Sequence, residues 1–245
     1  MCRHLAWLGA PRTLQALVVD RPHALYEQAW APRQQRHGTV NVDGFGAGWY
    51  VDRPQPVRYR RAQPIWTDAS FASLAPTIAS SCVLAAVRSA TPGTAADEGA
   101  AAPFTHDRWL FSHNGRLHDW ATARKALGTQ AADVPDTRVG VDSALLFGLA
   151  LARWQAGQPL AVGLAGAARD VLAHGGGRLT MLASDGSSVA GVVVGETLHV
   201  LTTPEGTVIA SEPHDDDPGW REVADLTAVH VGTAGLTQTP IEELA

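Results

Sequence analysis

Lysine is almost missing from this chain: Lys125 is the only one, and the other eighteen of its nineteen basic residues are arginines. Nor is there an excess of positive charge, since 19 Lys and Arg face 24 Asp and Glu for a formal net charge of -5. Nucleic-acid binders gain affinity by neutralising phosphates with surplus cations. A nucleic-acid partner is therefore not expected. No stretch approaches the roughly twenty apolar residues that span a bilayer, and the opening Met1-Cys2-Arg3-His4-Leu5 carries no apolar segment with a small-residue cleavage site behind it. The expectation is a protein of the cytoplasm with no membrane partner. Cysteine is scarce too. Cys2 and Cys82 are too few for a disulfide framework or a thiolate zinc site. Neither H-E-x-x-H nor C-x-x-C occurs among the histidines and cysteines, so no metal and no cofactor are expected.

What is present suffices for a large core. The chain has 245 residues, 45% of them hydrophobic and 18% charged, with no linker-like shift in composition and no internal repeat, which predicts a single domain over 1–245. Spacing of Leu14, Leu17, Val18 and Leu25 after Pro11 predicts a helix over 12–28. The segment 41–50, with glycine at alternate positions, reads as a loop, and 68–80 as a further helix. Cys82 to Val87 is a buried strand that delivers Arg88 at its end, and Trp109 to His113 is a strand running into Asn114-Gly115. Helices are expected over 118–127, 142–154 and 160–174, the last stopped by Gly175-Gly176-Gly177. Short β-branched strands follow over 178–184, 188–194, 197–202 and 207–211. Such an order suits a layered α+β domain with helices outside two sheets.

Chemistry enters at position two. Removal of the initiator Met, which a small second residue permits, leaves Cys2 with a free α-amine and a thiol. An α-amine titrates at about 7.7–8.0 and a thiol at about 8.5, so the amine can take the thiol proton at neutral pH. Nucleophile and base then sit on one residue. Arg88 can fork onto a carboxylate or simply cap a strand end. Asn114-Gly115 offers an amide and an N–H to a developing oxyanion, and is equally the dipeptide of a type I′ turn. Asp142 can hold an ammonium or serve as a helix N-cap. The basic run Arg58-Tyr59-Arg60-Arg61 reads as an exposed strand face, and the acidic turn His214 to Asp217 as a turn ahead of Pro218-Gly219.

Taken together, Cys2, the Arg88-Ser89-Ala90-Thr91 stretch, the His113-Asn114-Gly115 triplet and Asp142 resemble the class II glutamine amidotransferase domain of the N-terminal nucleophile hydrolases. The resemblance implies a four-layer αββα sandwich. It implies Cys2 as the catalytic nucleophile toward a γ-glutamyl amide, with Asn114 and Gly115 forming the oxyanion hole. Arg88 would then bind the α-carboxylate, Asp142 the α-amine, and Thr91 would also contact the small-molecule γ-glutamyl substrate. Pro92 and Ala144 depart from the residues usual in ammonia-producing members, a histidine and an acid respectively.

Finer likenesses point to one branch, the hydrolases that cleave γ-glutamyl-hercynylcysteine S-oxide in ergothioneine biosynthesis. They lie in Met1-Cys2-Arg3-His4, Trp7 to Pro11, Asp43-Gly44, Asp68 to Ser73 and Ala210 to Trp220. The alternative is a stand-alone glutaminase subunit feeding ammonia to a partner synthase. A trimethylammonium-bearing leaving group would favour an aromatic wall, for which Phe45, Trp49, Trp66 and Trp220 are candidates. Oligomeric state is not legible.

Overall fold

A computed structural model of the protein describes every residue except Met1, Pro92, Ala95, Ala96 and Ala245. Its first sheet is built from β1 (Arg3–Thr13), β2 (Phe45–Trp49), β3 (Val57–Arg61), β4 (Ala79–Val87), β9 (His199–Thr203), β10 (Gly206–Ala210) and β11 (Arg221–Glu222), in the order β11-β9-β10-β1-β4-β2-β3. The second comprises β5 (Phe104–His106), β6 (Trp109–Leu117), β7 (Gly177–Ser184), β8 (Val189–Val193), β12 (Thr227–Gly232) and β13 (Gly235–Pro240), ordered β13-β12-β8-β7-β6-β5. Every pairing within both sheets is antiparallel. The helices are α1 (Leu14–Val18), α2 (Leu25–Gln28), α3 (Ala69–Leu74), α4 (Trp120–Leu127), α5 (Asp142–Gln155) and α6 (Leu160–Ala173).

Side-chain alternation along the strands sorts the apolar residues into three cores, because successive residues of a strand face opposite sides of its sheet. Leu5 and Trp7 of β1, with Val83, Ala85 and Val87 of β4, pack under α1, α2 and α3. Their neighbours Ala6, Cys82 and Leu84 face the other way and meet Leu110, Leu182 and Val193 of the second sheet. The outer side of that sheet, with Phe111, Leu179 and Met181, packs on Phe147 and Leu149 of α5 and Leu164 and Val171 of α6. Helix, sheet, sheet, helix is the resulting order of layers. The expected αββα sandwich is what the chain forms.

Three local expectations need correction. The helix over 12–28 is instead the end of β1 followed by α1 and α2, because Arg12 and Thr13 pair with Ser80 and Ala79 of β4, and Thr13 caps α1 through its hydroxyl. The segment 41–50, expected as a loop, contains β2, whose alternating glycines serve packing between layers: a Cβ on Gly48 would stand 2.7 Å from the Leu110 side chain. Of the helix expected over 68–80 only α3 forms, capped by Asp68, and Ala79 and Ser80 already belong to β4. The strands β12 and β13 near the end were not anticipated. Among the described residues no helix is long and apolar enough to cross a membrane.

Candidate active site

Register sets the site. Arg3 lies opposite Val87 across the β1–β4 ladder, so Cys2 and Arg88 leave the same end of the first sheet. Arg88 is buried and gripped from behind. Its N–H donates to the Gly44 carbonyl at 2.7 Å, and its own carbonyl accepts from the Asp43 N–H at 2.9 Å. The guanidinium reaches the Asp43 carbonyl through Nη1 and Thr94 Oγ1 through Nη2, both at 3.3 Å. Asp43 Oδ2 accepts the Ala90 N–H at 2.7 Å, which fixes the chain between Arg88 and Thr91.

The second sheet contributes His113, Asn114 and Gly115, all inside β6 and paired with β7, so the hairpin-turn alternative for Asn114-Gly115 is wrong. Gly115 has φ +152°, and a Cβ there would stand 1.9 Å from the Arg178 carbonyl oxygen and 2.8 Å from His113 Nε2. Only glycine fits. Asp142 opens α5, with Val141 rather than Asp142 in the cap position. Its Oδ2 accepts the Leu117 N–H at 3.1 Å and its Oδ1 the Ser143 N–H at 2.9 Å. Two backbone donors from two elements therefore hold this carboxylate, and each oxygen keeps a lone pair for a ligand.

Cys2, Arg88, Thr91, Gly115 and Asp142 all line one cleft, together with His113 and Ser143. Five of the six expected site residues are thus brought together around common space. Asn114 is fully buried and does not line it; its Nδ2 donates to Ser211 Oγ at 3.5 Å, and its Oδ1 has no hydrogen-bond partner among the described residues. Ser211 Oγ also accepts the His4 N–H at 3.0 Å, tying the strand behind Cys2 to the asparagine. Met1, whose removal would free the Cys2 amine, and Pro92 lie outside the described residues.

The two thiols differ sharply. Cys2 is half-buried, whereas Cys82 is sealed between the sheets, where burial pushes its thiol up to about 12. Fully buried Arg3 follows the nucleophile, and burial lowers its pKa against the opposing pull of Glu212 and Glu196.

Beyond Thr91, Thr94, Val141 and Asp142 lies a second hollow of about 240 Å³, bordered by Arg116, His118, Asp119 and Trp120. None of the four aromatic candidates for a wall borders either space. Phe45 and Trp49 are core residues, Trp66 stacks edge-on against Trp30, and Trp220 donates its indole N–H to Asp215. The basic run is no solvated face either, since Arg58 and Arg60 both engage Asp136. Sequence reasoning gave no role to His113 or Ser143, although each adjoins a residue it did single out.

A family model described as class II glutamine amidotransferases matches residues 14–208. The chain is 44% identical over 245 residues to a protein of Mycolicibacterium smegmatis named γ-glutamyl-hercynylcysteine sulfoxide hydrolase, covering 98% of this chain and 100% of that one. A protein of Mycobacterium tuberculosis with the same name is 41% identical over 247 residues, covering 99% and 97%. Among solved structures, a glutamine aminotransferase class II domain protein from Silicibacter pomeroyi superposes with a TM-score of 0.73 at 24% identity, over 98% of this chain and 99% of that one. The glutamine phosphoribosylpyrophosphate amidotransferase of B. subtilis gives 0.70 at 16% identity, with 98% of this chain matching 49% of the enzyme.

Proposed function

The chain belongs to the class II glutamine amidotransferases, and from that membership we propose that it hydrolyses the γ-glutamyl amide bond of γ-glutamyl-hercynylcysteine S-oxide in ergothioneine biosynthesis. Glutamate and hercynylcysteine S-oxide are the products. The observation that carries this reading is the single cleft in which a half-buried thiol, an arginine and a carboxylate converge. Thiol, cation and anion match the electrophilic carbonyl, the α-carboxylate and the α-ammonium of a γ-glutamyl group. Likeness to the mycobacterial hydrolases over nearly the whole chain selects the leaving group.

In the mechanism, the α-amine of processed Cys2 takes the thiol proton, and the thiolate adds to the γ-carbonyl. The Gly115 N–H bears the oxyanion of the tetrahedral adduct, joined by Asn114 Nδ2 once it leaves its long 3.5 Å contact with Ser211 Oγ and turns toward the cleft. The protonated amine then gives its proton to the leaving nitrogen, the C–N bond breaks, and a γ-glutamyl thioester remains. Water, deprotonated by the same amine, resolves it to glutamate. Arg88 meets the α-carboxylate with its fork, Asp142 the α-ammonium, and Thr91 adds a hydroxyl at the rim. Neither metal nor cofactor has a part in these steps. A free thiol nucleophile suits the reducing cytoplasm, where we place the enzyme.

Incubating the purified protein in parallel with γ-glutamyl-hercynylcysteine S-oxide and with glutamine tests the reading. Glutamate release is expected to be faster from the former. Faster turnover of glutamine would identify a stand-alone glutaminase supplying ammonia to a partner synthase instead.

A further inference from the structure

His113 and Ser143 both line the cleft, and their hydrogen bonds impose a direction on one another. His113 Nε2 lies 3.0 Å from the Arg178 carbonyl oxygen. A carbonyl only accepts, so Nε2 carries the hydrogen. In the neutral ring Nδ1 then has a lone pair and no hydrogen, and its partner at 3.0 Å, Ser143 Oγ, must be the donor. The serine has one hydroxyl hydrogen, and it is spent on the ring. Toward the cleft its oxygen can only accept. The carbonyl that starts this chain is the one that forbids a side chain at residue 115, so the glycine and the histidine orientation are parts of one arrangement.

Ser143 also presents its N–H to Asp142 Oδ1 at 2.9 Å, and the two neighbouring residues line the same cleft. An acceptor-only oxygen next to an anion favours a ligand with several N–H donors and a positive charge. We propose that Ser143 binds the α-ammonium of the γ-glutamyl group through its hydroxyl oxygen, as a second acceptor beside Asp142, and that His113 is the positioning residue that keeps the hydroxyl turned that way. This rests on the γ-glutamyl reading given above, and goes beyond it in naming a recognition element.

The test compares γ-glutamyl-p-nitroanilide with glutaryl-p-nitroanilide, which has the same chain and carboxylate but no α-amine. Ser143→Ala is expected to lower the preference for the γ-glutamyl compound, taken as the ratio of kcat/KM values, by about tenfold, the effect of one charge-assisted hydrogen bond. The loss is expected in KM rather than kcat, with Ser143→Thr restoring most of it. His113→Gln keeps a donor for the Arg178 carbonyl but gives up the acceptor at Nδ1, so it lowers the same ratio, and combining it with Ser143→Ala adds no further loss. Equal loss on both anilides, or a loss confined to kcat, overturns the inference while leaving the γ-glutamyl reading intact. A wild-type enzyme that releases glutamate from neither γ-glutamyl-p-nitroanilide nor γ-glutamyl-hercynylcysteine S-oxide overturns both.

Discussion

Arg88 and Asp43 hold one another through two hydrogen bonds: the Asp43 N–H donates to the Arg88 carbonyl at 2.9 Å and Arg88 Nη1 donates to the Asp43 carbonyl at 3.3 Å, while Asp43 Oδ2 accepts the N–H of Ala90, two residues on. The guanidinium is thereby aimed before any substrate arrives. Ordering a long side chain in advance removes much of the entropy that binding otherwise costs. Arg88→Lys keeps the charge but loses the planar fork, so KM for a γ-glutamyl substrate is expected to rise about tenfold or more, with a smaller change in kcat. Steady-state kinetics on the two proteins decide it, and an unchanged KM would remove Arg88 from the binding of the carboxylate.

Cys2→Ala is expected to abolish glutamate release. Asn114→Ala should lower turnover by a factor on the order of 10²–10³, the usual effect of one oxyanion donor. Full turnover in the asparagine variant would mean that the buried amide never reaches the reacting oxygen.

Gly115→Ala drives a methyl group into a backbone carbonyl and a histidine ring that cannot both retreat. The φ of +152° adds strain of its own. A loss of stability on the order of 3 kcal/mol is expected, read as a lower urea midpoint at unchanged slope. Near-wild-type stability would show that strands β6 and β7 can separate locally, against the close approach described here.

Iodoacetamide near neutral pH should alkylate Cys2 and spare Cys82, whose thiol is buried and raised to about 12. Peptide mass mapping after partial reaction checks both sites, reports whether Met1 has been removed, and allows lost activity to be compared with label at Cys2. Early labelling of Cys82 would contradict its place between the sheets.

Stability should fall on acidification through the histidine range. Burial lowers the pKa of His214 from the usual 6.5 to about 4. The unfolded chain therefore binds a proton between these values that the folded chain refuses, and stability rises with pH across that window. It is fully present above pH 6.5 and lost progressively as the pH falls toward 4. His4, buried and held well below 6.5, acts in the same sense. Denaturation midpoints measured at pH 7 and pH 5 should differ accordingly, and the difference should shrink in His214→Gln.

Most of the candidate site was legible because its chemistry is local in the sequence. Arg88 ends an apolar strand, Asp142 begins a long helix, and the chain places a thiol at position two. The layered fold was legible for a similar reason, since β7 to β10 are short, rich in β-branched residues and cut by turns at Asp185-Gly186 and Glu205-Gly206. What escaped was set by partners far along the chain. Nothing near Gly46 and Gly48 shows that Ala102 and Leu110 press against them, so a strand read as a loop. Nothing near Arg58 and Arg60 shows that Asp136 waits for them. The joint role of His113 and Ser143 depends on the carbonyl of Arg178, 65 residues from the histidine.

β1, the strand behind the nucleophile, lies in the middle of its sheet, paired with β4 on one edge and β10 on the other. Chain ends ordinarily fray first and exchange their amide hydrogens fastest. Here the residues just after Cys2 can open only when both neighbouring strands let go, so their exchange should be as slow as that of the deepest core. Heating therefore has no shortcut to inactivation by peeling back the terminus. Activity and the first sheet should disappear in a single transition.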